Sequence, residues 1–196
     1  MDTFKKWKYF FENEIGKRLK CLKSDNGGEY CSKEFDRYCS KNGIRRERTV
    51  LGTPQENGVS ERMNRTIMEH ARCMILHTGL PLQFWTDDVD TTVYLINRGP
   101  SSSLDGGILE EAWTSKNENY SFLKTFGYEA FVHINKENRT NLEAKSKKCT
   151  FIRYGINDFA YHLYDYENHK IIRSRDGIFN GRVLYKGLMQ KKKKEK

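Results

Sequence analysis

Two carboxylates, Asp25 and Glu61, lie in sequence surroundings that suit chemistry on phosphates. Asp25 begins the turn Asp25-Asn26-Gly27-Gly28 after a short alternating segment, which places it at the carboxyl end of a predicted strand. Glu61 follows after the 35 intervening residues, near the start of a long predicted helix. Both adjoin glycine-containing turns, where a phosphate backbone can approach closely. Because paired carboxylates bind hard divalent cations, the two residues predict a Mg²⁺ or Mn²⁺ site for phosphoryl transfer.

An alternative interpretation makes Glu61 one half of a surface ion pair with Arg65, four residues further along the same helix. Helical periodicity places these two residues on the same side as Met68 and Arg72. The opposite side carries an apolar stripe that is expected to face the core, formed by Val59, Met63, Ile67 and Met74. Glu61 is therefore expected to point away from the core, beside basic residues.

The composition restricts the class of protein. Lysine and arginine number 35 against 26 acidic residues, and the net charge of +9 favours a polyanionic partner, although a merely basic surface is the alternative. The five cysteines form no C-x-x-C pair, so neither a disulfide framework nor a zinc site is indicated, and they are expected to be reduced. The sequence contains no long apolar run, so we expect no membrane association and a nuclear or cytoplasmic location.

Hydrophobic spacing and turn residues predict a mixed α/β protein. Helices are expected over residues 3–15, 32–41, 59–77 and 81–97. Strands are expected over residues 18–24 and 44–50, on either side of the second helix. After a stretch rich in Pro, Ser and Gly at 99–107, short β segments predict a small separate β barrel, with strands over 130–134, 149–154, 159–165 and 170–175.

The motifs around the two carboxylates resemble a known family. Ser24-Asp25-Asn26-Gly27-Gly28-Glu29-Tyr30, Thr53-Pro54-Gln55 and Glu61-Arg62-Met63-Asn64-Arg65-Thr66 are similar to the integrase core of copia-type retrotransposon Pol polyproteins. The resemblance extends from about residue 4 to about residue 185 and includes the stretch Lys145-Ser146-Lys147-Lys148, which resembles part of an SH3-like domain. It implies a ribonuclease-H-like core, truncated at its amino terminus, followed by an SH3-like β barrel. The implied domains are the core at 1–98, a linker at 99–125, the SH3-like domain at 126–185 and a basic tail at 186–196.

The resemblance also implies roles for individual residues. Asp25 and Glu61 correspond to the second and third members of an acidic triad that holds Mg²⁺ or Mn²⁺ in a polynucleotidyl transferase. Contacts to DNA, both element ends and target, are implied for Gln55, Asn57, Asn64, Arg65 and Arg72. The strands missing from a truncated core would leave an exposed sheet edge that can pair with another chain, so a homo-oligomer is expected.

The first acid of the family triad has no match, because Asp2 is the sole aspartate before Asp25 and it precedes a predicted helix. We therefore expect this chain alone to be inactive as an integrase. One alternative is a non-catalytic nucleic-acid-binding protein, in which the run Lys191 to Lys194 also contributes charge. Another is a protein-interaction module with a groove of aromatic side chains, although strand alternation favours core positions for several of them: Tyr154, Phe159, Tyr161 and Tyr164.

Overall fold

The computed structural model describes residues 1–24, 27–48, 58–117, 119–134, 139–140, 142, 144–155 and 159–187. The chain divides into two units, Met1–Asn64 and Arg65–Lys196, and the division falls inside a long helix. The units differ from the domains that the family resemblance implies, and those domain boundaries remain a prediction.

The amino-terminal unit has the strand, helix and strand order that the sequence predicts. Helix α1 (Asp2–Ile15) ends at Gly16, which adopts the left-handed conformation with φ 62°. Strand β1 (Cys21–Ser24) pairs in parallel with β2 (Arg45–Arg48), and helix α2 (Lys33–Lys41) connects them. The Ser32 hydroxyl caps α2 by accepting a hydrogen bond of 3.1 Å from the Phe35 amide. The core of this unit consists of Phe35, Cys39 and Ile44, with Phe4 and other apolar side chains around them.

Helix α3 (Gly58–Thr78) follows the prediction closely, whereas the next predicted helix begins later than expected. Pro81 is extended, with ψ 148°, and a short 3₁₀ turn over Leu82–Phe84 precedes α4 (Trp85–Asn97). Proline supplies no amide donor and here does not occupy a helical first turn, so the α-helix starts only at Trp85. Helix α5 (Leu109–Thr114) is short.

Five strands form one antiparallel sheet in the carboxyl-terminal unit, in the order β6-β5-β4-β3-β7. The strands are β3 (Tyr128–His133), β4 (Ser146–Tyr154), β5 (Tyr161–Asp165), β6 (Lys170–Ser174) and β7 (Ile178–Leu184). Sequence patterns predicted four of them and missed β7. Its Asn180-Gly181 step interrupts the apolar alternation, and its pairing with β3 shifts register between Tyr128 and Glu129.

The sheet packs directly against α4, so it is not separate from the preceding helices. Phe151, Ile152 and Leu163 are fully buried. The Thr91 hydroxyl of α4 lies 3.2 Å from the Ile152 carbonyl oxygen of β4. At the start of β3, Gly127 has φ 79°, and a Cβ added there would lie 2.4 Å from Thr78 Cγ2. Helix α3 therefore approaches the sheet through small residues.

The aromatic residues considered for an interaction groove are divided between core and surface. Tyr154 is 6% exposed, and Tyr161 packs against the same core cluster, as strand alternation predicted. Phe159 is 92% exposed. Within the described part of the chain, no helix has the length and apolar character needed to span a membrane.

Candidate functional site

The first half of α3 is solvent-exposed on all sides. Every residue from Val59 to Thr66 is exposed, and the buried residues of α3 are Ala71, Ile75 and Thr78. The predicted apolar stripe is therefore wrong for Val59 and Met63, which are 71% and 45% exposed.

Burial along α3 is concentrated in its carboxyl-terminal half, at Ala71, Ile75 and Thr78. Ala71 is small and Thr78 is polar, so the hydrophobic pattern did not select them. The core-facing side is consequently displaced around the helix from the predicted stripe toward Ala71 and Thr78.

One side of α3, here called the α3 face, carries all the residues of this helix to which the family resemblance assigns roles. All its members are exposed: Glu61, Asn64, Arg65, Met68 and Arg72. The ion pair considered between Glu61 and Arg65 is not formed. Within the described ranges, neither side chain has a hydrogen-bond or salt-bridge partner. The carboxylate and the guanidinium are thus both available to a ligand.

Three of the predicted site residues, Asp25, Gln55 and Asn57, lie outside the described residues, as does the run Lys191 to Lys194. Strand β1 ends at Ser24, immediately before Asp25, and Ser24 is opposite Arg48 in the parallel pair. The carboxyl end of a parallel strand pair is a common position for ligand-binding side chains in α/β proteins.

An arginine clamp holds the turn that follows Asp25. The Arg46 guanidinium donates hydrogen bonds to the Asp36 carboxylate and to the Tyr30 carbonyl oxygen, and it lies over the Phe35 ring at 4.9 Å. Arg48 also donates to Asp36, at 3.1 Å. The clamp therefore links the 3₁₀ turn Gly28–Tyr30 to α2 and β2.

Sequence reasoning missed this clamp. The arginines of β2 suggested only a basic strand, and the spacing of Asp36 and Arg46 gave no signal because their contact is tertiary. Two of the arginines that contribute to the net charge are thus occupied within the fold and are poorly placed to bind phosphate.

Two lysines of the SH3-like stretch are likewise occupied. Lys147 Nζ lies 2.8 Å from Asp165, and Lys148 Nζ lies 2.7 Å from Glu129. Burial alone would raise the pKa of Asp165, but hydrogen bonds from Asn168, Lys147 and backbone amides outweigh it and lower that pKa to about 2. These lysines stabilise the sheet, so the exposed arginines of the α3 face are better candidates for DNA contacts.

The donor chemistry of Glu61 fits a hard divalent cation, because its carboxylate is exposed and unpaired within the described ranges. The residues that the structure describes contain no cluster of three His, Cys, Asp or Glu side chains able to hold a metal ion. A site at Glu61 therefore requires Asp25 or another group as a second ligand.

Comparison with known proteins identifies the carboxyl-terminal sheet. The family model described as the retroviral polymerase SH3-like domain matches residues 128–193. The match begins at the first residue of β3 and includes all five strands. The predicted SH3-like region is thereby confirmed.

Relatives match nearly the whole chain. The retrovirus-related Pol polyprotein from transposon TNT 1-94 of Nicotiana tabacum is 54% identical over 177 residues, which are 90% of this chain and 13% of the polyprotein. The retrovirus-related Pol polyprotein from transposon RE2 of Arabidopsis thaliana is 34% identical over 183 residues, which are 93% of this chain and 12% of the polyprotein. The chain thus spans about an eighth of the length of these relatives.

A search of solved structures found similarity to a chain in the simian T-cell lymphotropic virus intasome, determined in complex with PP2A regulatory subunit B56 gamma. The TM-score is 0.44 and the identity is 14%, covering 85% of this chain and 61% of that chain.

Proposed function

The chain belongs to the retrovirus-related Pol polyproteins of copia-type retrotransposons, and from that membership we propose that it is a segment of the integrase region. In this proposal the α3 face binds DNA, both element ends and target, while Asp25 and Glu61 hold Mg²⁺ or Mn²⁺ for DNA strand transfer. The observation that carries it is the set of exposed side chains on the α3 face, among which Glu61 and Arg65 have no partner within the described ranges. We also propose that the functional assembly is a homo-oligomer.

The side chains of the α3 face suit a phosphate backbone. Arg65 and Arg72 lie two helical turns apart, and each guanidinium can donate paired hydrogen bonds to phosphate oxygens. Asn64 offers both a donor and an acceptor, which suit sugar, phosphate or base edges. Because these residues belong to one helix, the spacing of their backbone positions is fixed before DNA binds, and little backbone entropy is lost on binding.

Glu61 and Asp25 have a different role in the proposal, because carboxylates repel phosphate unless a cation lies between them. When bound, divalent ions supply positive charge to the attacking and leaving oxygens of phosphoryl transfer. Glu61 lies in the first turn of α3, where the positive end of the helix dipole favours an acidic side chain and a nearby phosphate. Asp25 supplies the second oxygen ligand from the end of β1.

DNA binding by the full chain tests the first part of this proposal. We would measure fluorescence anisotropy of a labelled duplex across a salt series, comparing Arg65→Ala with Arg37→Ala. Arg37 is an exposed arginine of α2 with no ion pair in the described part of the chain, so it controls for net charge. Arg65→Ala is expected to weaken binding and to reduce the salt slope by about one.

Equal losses for the two variants would contradict a specific role for the α3 face. They would support the second candidate, a nucleic-acid-binding protein that uses only the net charge of +9. That candidate also predicts that Glu61→Gln leaves the affinity for DNA unchanged in the presence of Mn²⁺.

A further inference from the structure

Helix α4 is held between the sheet and α3 by buried polar side chains. The Thr91 hydroxyl lies within hydrogen-bond distance of two carbonyl oxygens, that of Asp87 at 2.8 Å and that of Ile152 in β4 at 3.2 Å. The Thr92 hydroxyl lies 3.8 Å from Met74 Sδ of α3. Both threonines are almost completely buried. The packing of α4 therefore depends on matching each buried polar group with a partner.

Asp88 breaks that pattern. It lies on the same side of α4 as Thr91 and Thr92, it is fully buried, and neither carboxylate oxygen has a hydrogen-bond donor in the described ranges. Asp165, the other fully buried aspartate among the described residues, accepts hydrogen bonds from Asn168 and from a backbone amide and pairs with Lys147. An ionised carboxylate at Asp88 has none of these compensating partners, and burying an unpaired charge is strongly unfavourable.

The charged groups around the α4–β4 contact are already engaged with one another. Arg153 of β4 pairs with Asp87 at 3.3 Å and with Asp90 at 3.0 Å, and its Nε donates to His162 Nδ1 of β5 at 3.1 Å. On the α3 side, the titratable groups nearest in sequence to Met74 and Thr78 are Cys73 and His77, whose side chains are both exposed. The 3₁₀ turn Leu82–Phe84 contains no charged residue.

Burial accordingly raises the pKa of Asp88 from 3.8 to about 7, and no charged group lowers it. We propose that Asp88 is a pH-sensitive latch, whose protonated carboxyl allows α4 to pack against the sheet and whose ionised carboxylate loosens that packing. The proton passes to solvent when the latch opens. The device is independent of Glu61 and of DNA binding.

The direction of the pH effect follows from the raised folded-state pKa. In the unfolded chain Asp88 loses its proton near 3.8, while the folded chain retains it until about pH 7. The stabilising contribution is therefore fully present below the unfolded value and is lost as the pH rises through the folded value. Across that window the unfolding equilibrium constant is expected to increase by about tenfold per pH unit and then to level off.

The test compares the full native chain with Asp88→Asn, which keeps the shape of the side chain but cannot ionise. Thermal unfolding and hydrogen exchange of the α4 amides, corrected for the intrinsic effect of pH on exchange, are measured from acidic to mildly alkaline pH. The native chain is expected to lose protection of α4 by about tenfold per pH unit below about pH 7. Asp88→Asn is expected to show a much shallower profile over the same range, in which the remaining dependence comes from Asp87, whose pKa is also raised by burial.

Asp105→Asn is the matched control, because Asp105 is an exposed aspartate in a turn and should leave the native profile unchanged. If Asp88→Asn does not fold, the hydrogen-exchange profile of α4 in the native chain still tests the proposal, because that profile either shows the expected pH dependence or does not. A native profile without that dependence would overturn the proposal. So would the same pH dependence in Asp88→Asn as in the native chain.

Discussion

The α3 face and the α4–β4 contact differ in whether their charged side chains are paired within the fold. Glu61 and Arg65, four residues apart on α3, make no ion pair with each other and are exposed. At the α4–β4 contact, Arg153 is shared among two aspartates and a histidine. Charges that the fold itself neutralises contribute to stability, whereas exposed charges without partners can bind ligands at little cost to the fold. Charged residues thus serve stability at one place and ligand binding at the other, and mutations should affect these two properties separately.

Gly127→Ala should cause the largest loss of stability, because it disturbs the close approach of α3 to the sheet. The new Cβ would lie 2.4 Å from Thr78 Cγ2, and the φ of 79° is unfavourable for alanine. We expect a loss of about 3 kcal/mol in the free energy of unfolding, measured by urea denaturation. Gly106→Ala is the matched control, since φ is 90° there and nothing lies within 4 Å of the added Cβ. Equal losses at the two glycines would show that the contact with Thr78 is unimportant.

Asp165→Asn should have the second largest effect, a loss of about 2 kcal/mol in the free energy of unfolding at neutral pH. The folded-state pKa of Asp165 is lowered to about 2, so its contribution is present above the unfolded value of 3.8 and is lost as the pH falls toward 2. The difference between native and variant chains should therefore shrink over that acidic range in urea titrations. A constant difference at every pH would contradict the assignment of this stabilisation to the ionised carboxylate.

Tyr154→Phe should lower the free energy of unfolding by about 1 to 2 kcal/mol. The Tyr154 hydroxyl accepts a hydrogen bond from the Lys124 amide and donates one to the Lys124 carbonyl oxygen, and the variant loses both. Tyr161→Phe removes a single hydrogen bond, to the Phe122 carbonyl oxygen, and should cost less. Thermal denaturation of the two variants gives the comparison. If Tyr161→Phe were the more destabilising change, the double hydrogen bond of Tyr154 would not be the reason for its cost.

Glu61→Gln should have the smallest effect on stability, within about 0.5 kcal/mol, because the residue is exposed and unpaired within the described ranges. Its expected effect is on binding of Mn²⁺, measured by electron paramagnetic resonance. Glu69→Gln, at another exposed glutamate of α3, should leave Mn²⁺ binding unchanged. Similar Mn²⁺ affinities for the two variants would remove Glu61 from the proposed metal site.

Local signals in the sequence predicted most of the secondary structure. The predicted range 32–41 agrees with α2 within a residue, because the cap at Ser32 and the end of the helix at Asn42 act over a few neighbouring positions. The buried side of α3 was predicted only in part, since Met74 packs against the core but the small Ala71 and the polar Thr78 were not selected by the hydrophobic pattern. Strand β7 was missed because its pairing partner, rather than its own composition, determines it.

The candidate site was predictable only in part. Helical geometry placed Glu61 and Arg65 together on an exposed side, and the structure agrees. Two features gave no sequence signal: the Arg46 clamp and, separately, the buried Asp88 carboxylate without a donor in the described ranges. Both depend on which residues become neighbours after folding. The roles of Asp25, Gln55 and Asn57 remain predictions from the family resemblance.

Photo-cross-linking to DNA tests the central claim most directly, namely that the α3 face binds the nucleic acid. A photoreactive amino acid would replace Met68, on the α3 face, or Trp113 of α5, which has the same exposure of 47%. With a labelled duplex, we predict a strong cross-link from position 68 and a weak one from position 113. Equal cross-linking from both positions, or stronger cross-linking from position 113, would contradict the account.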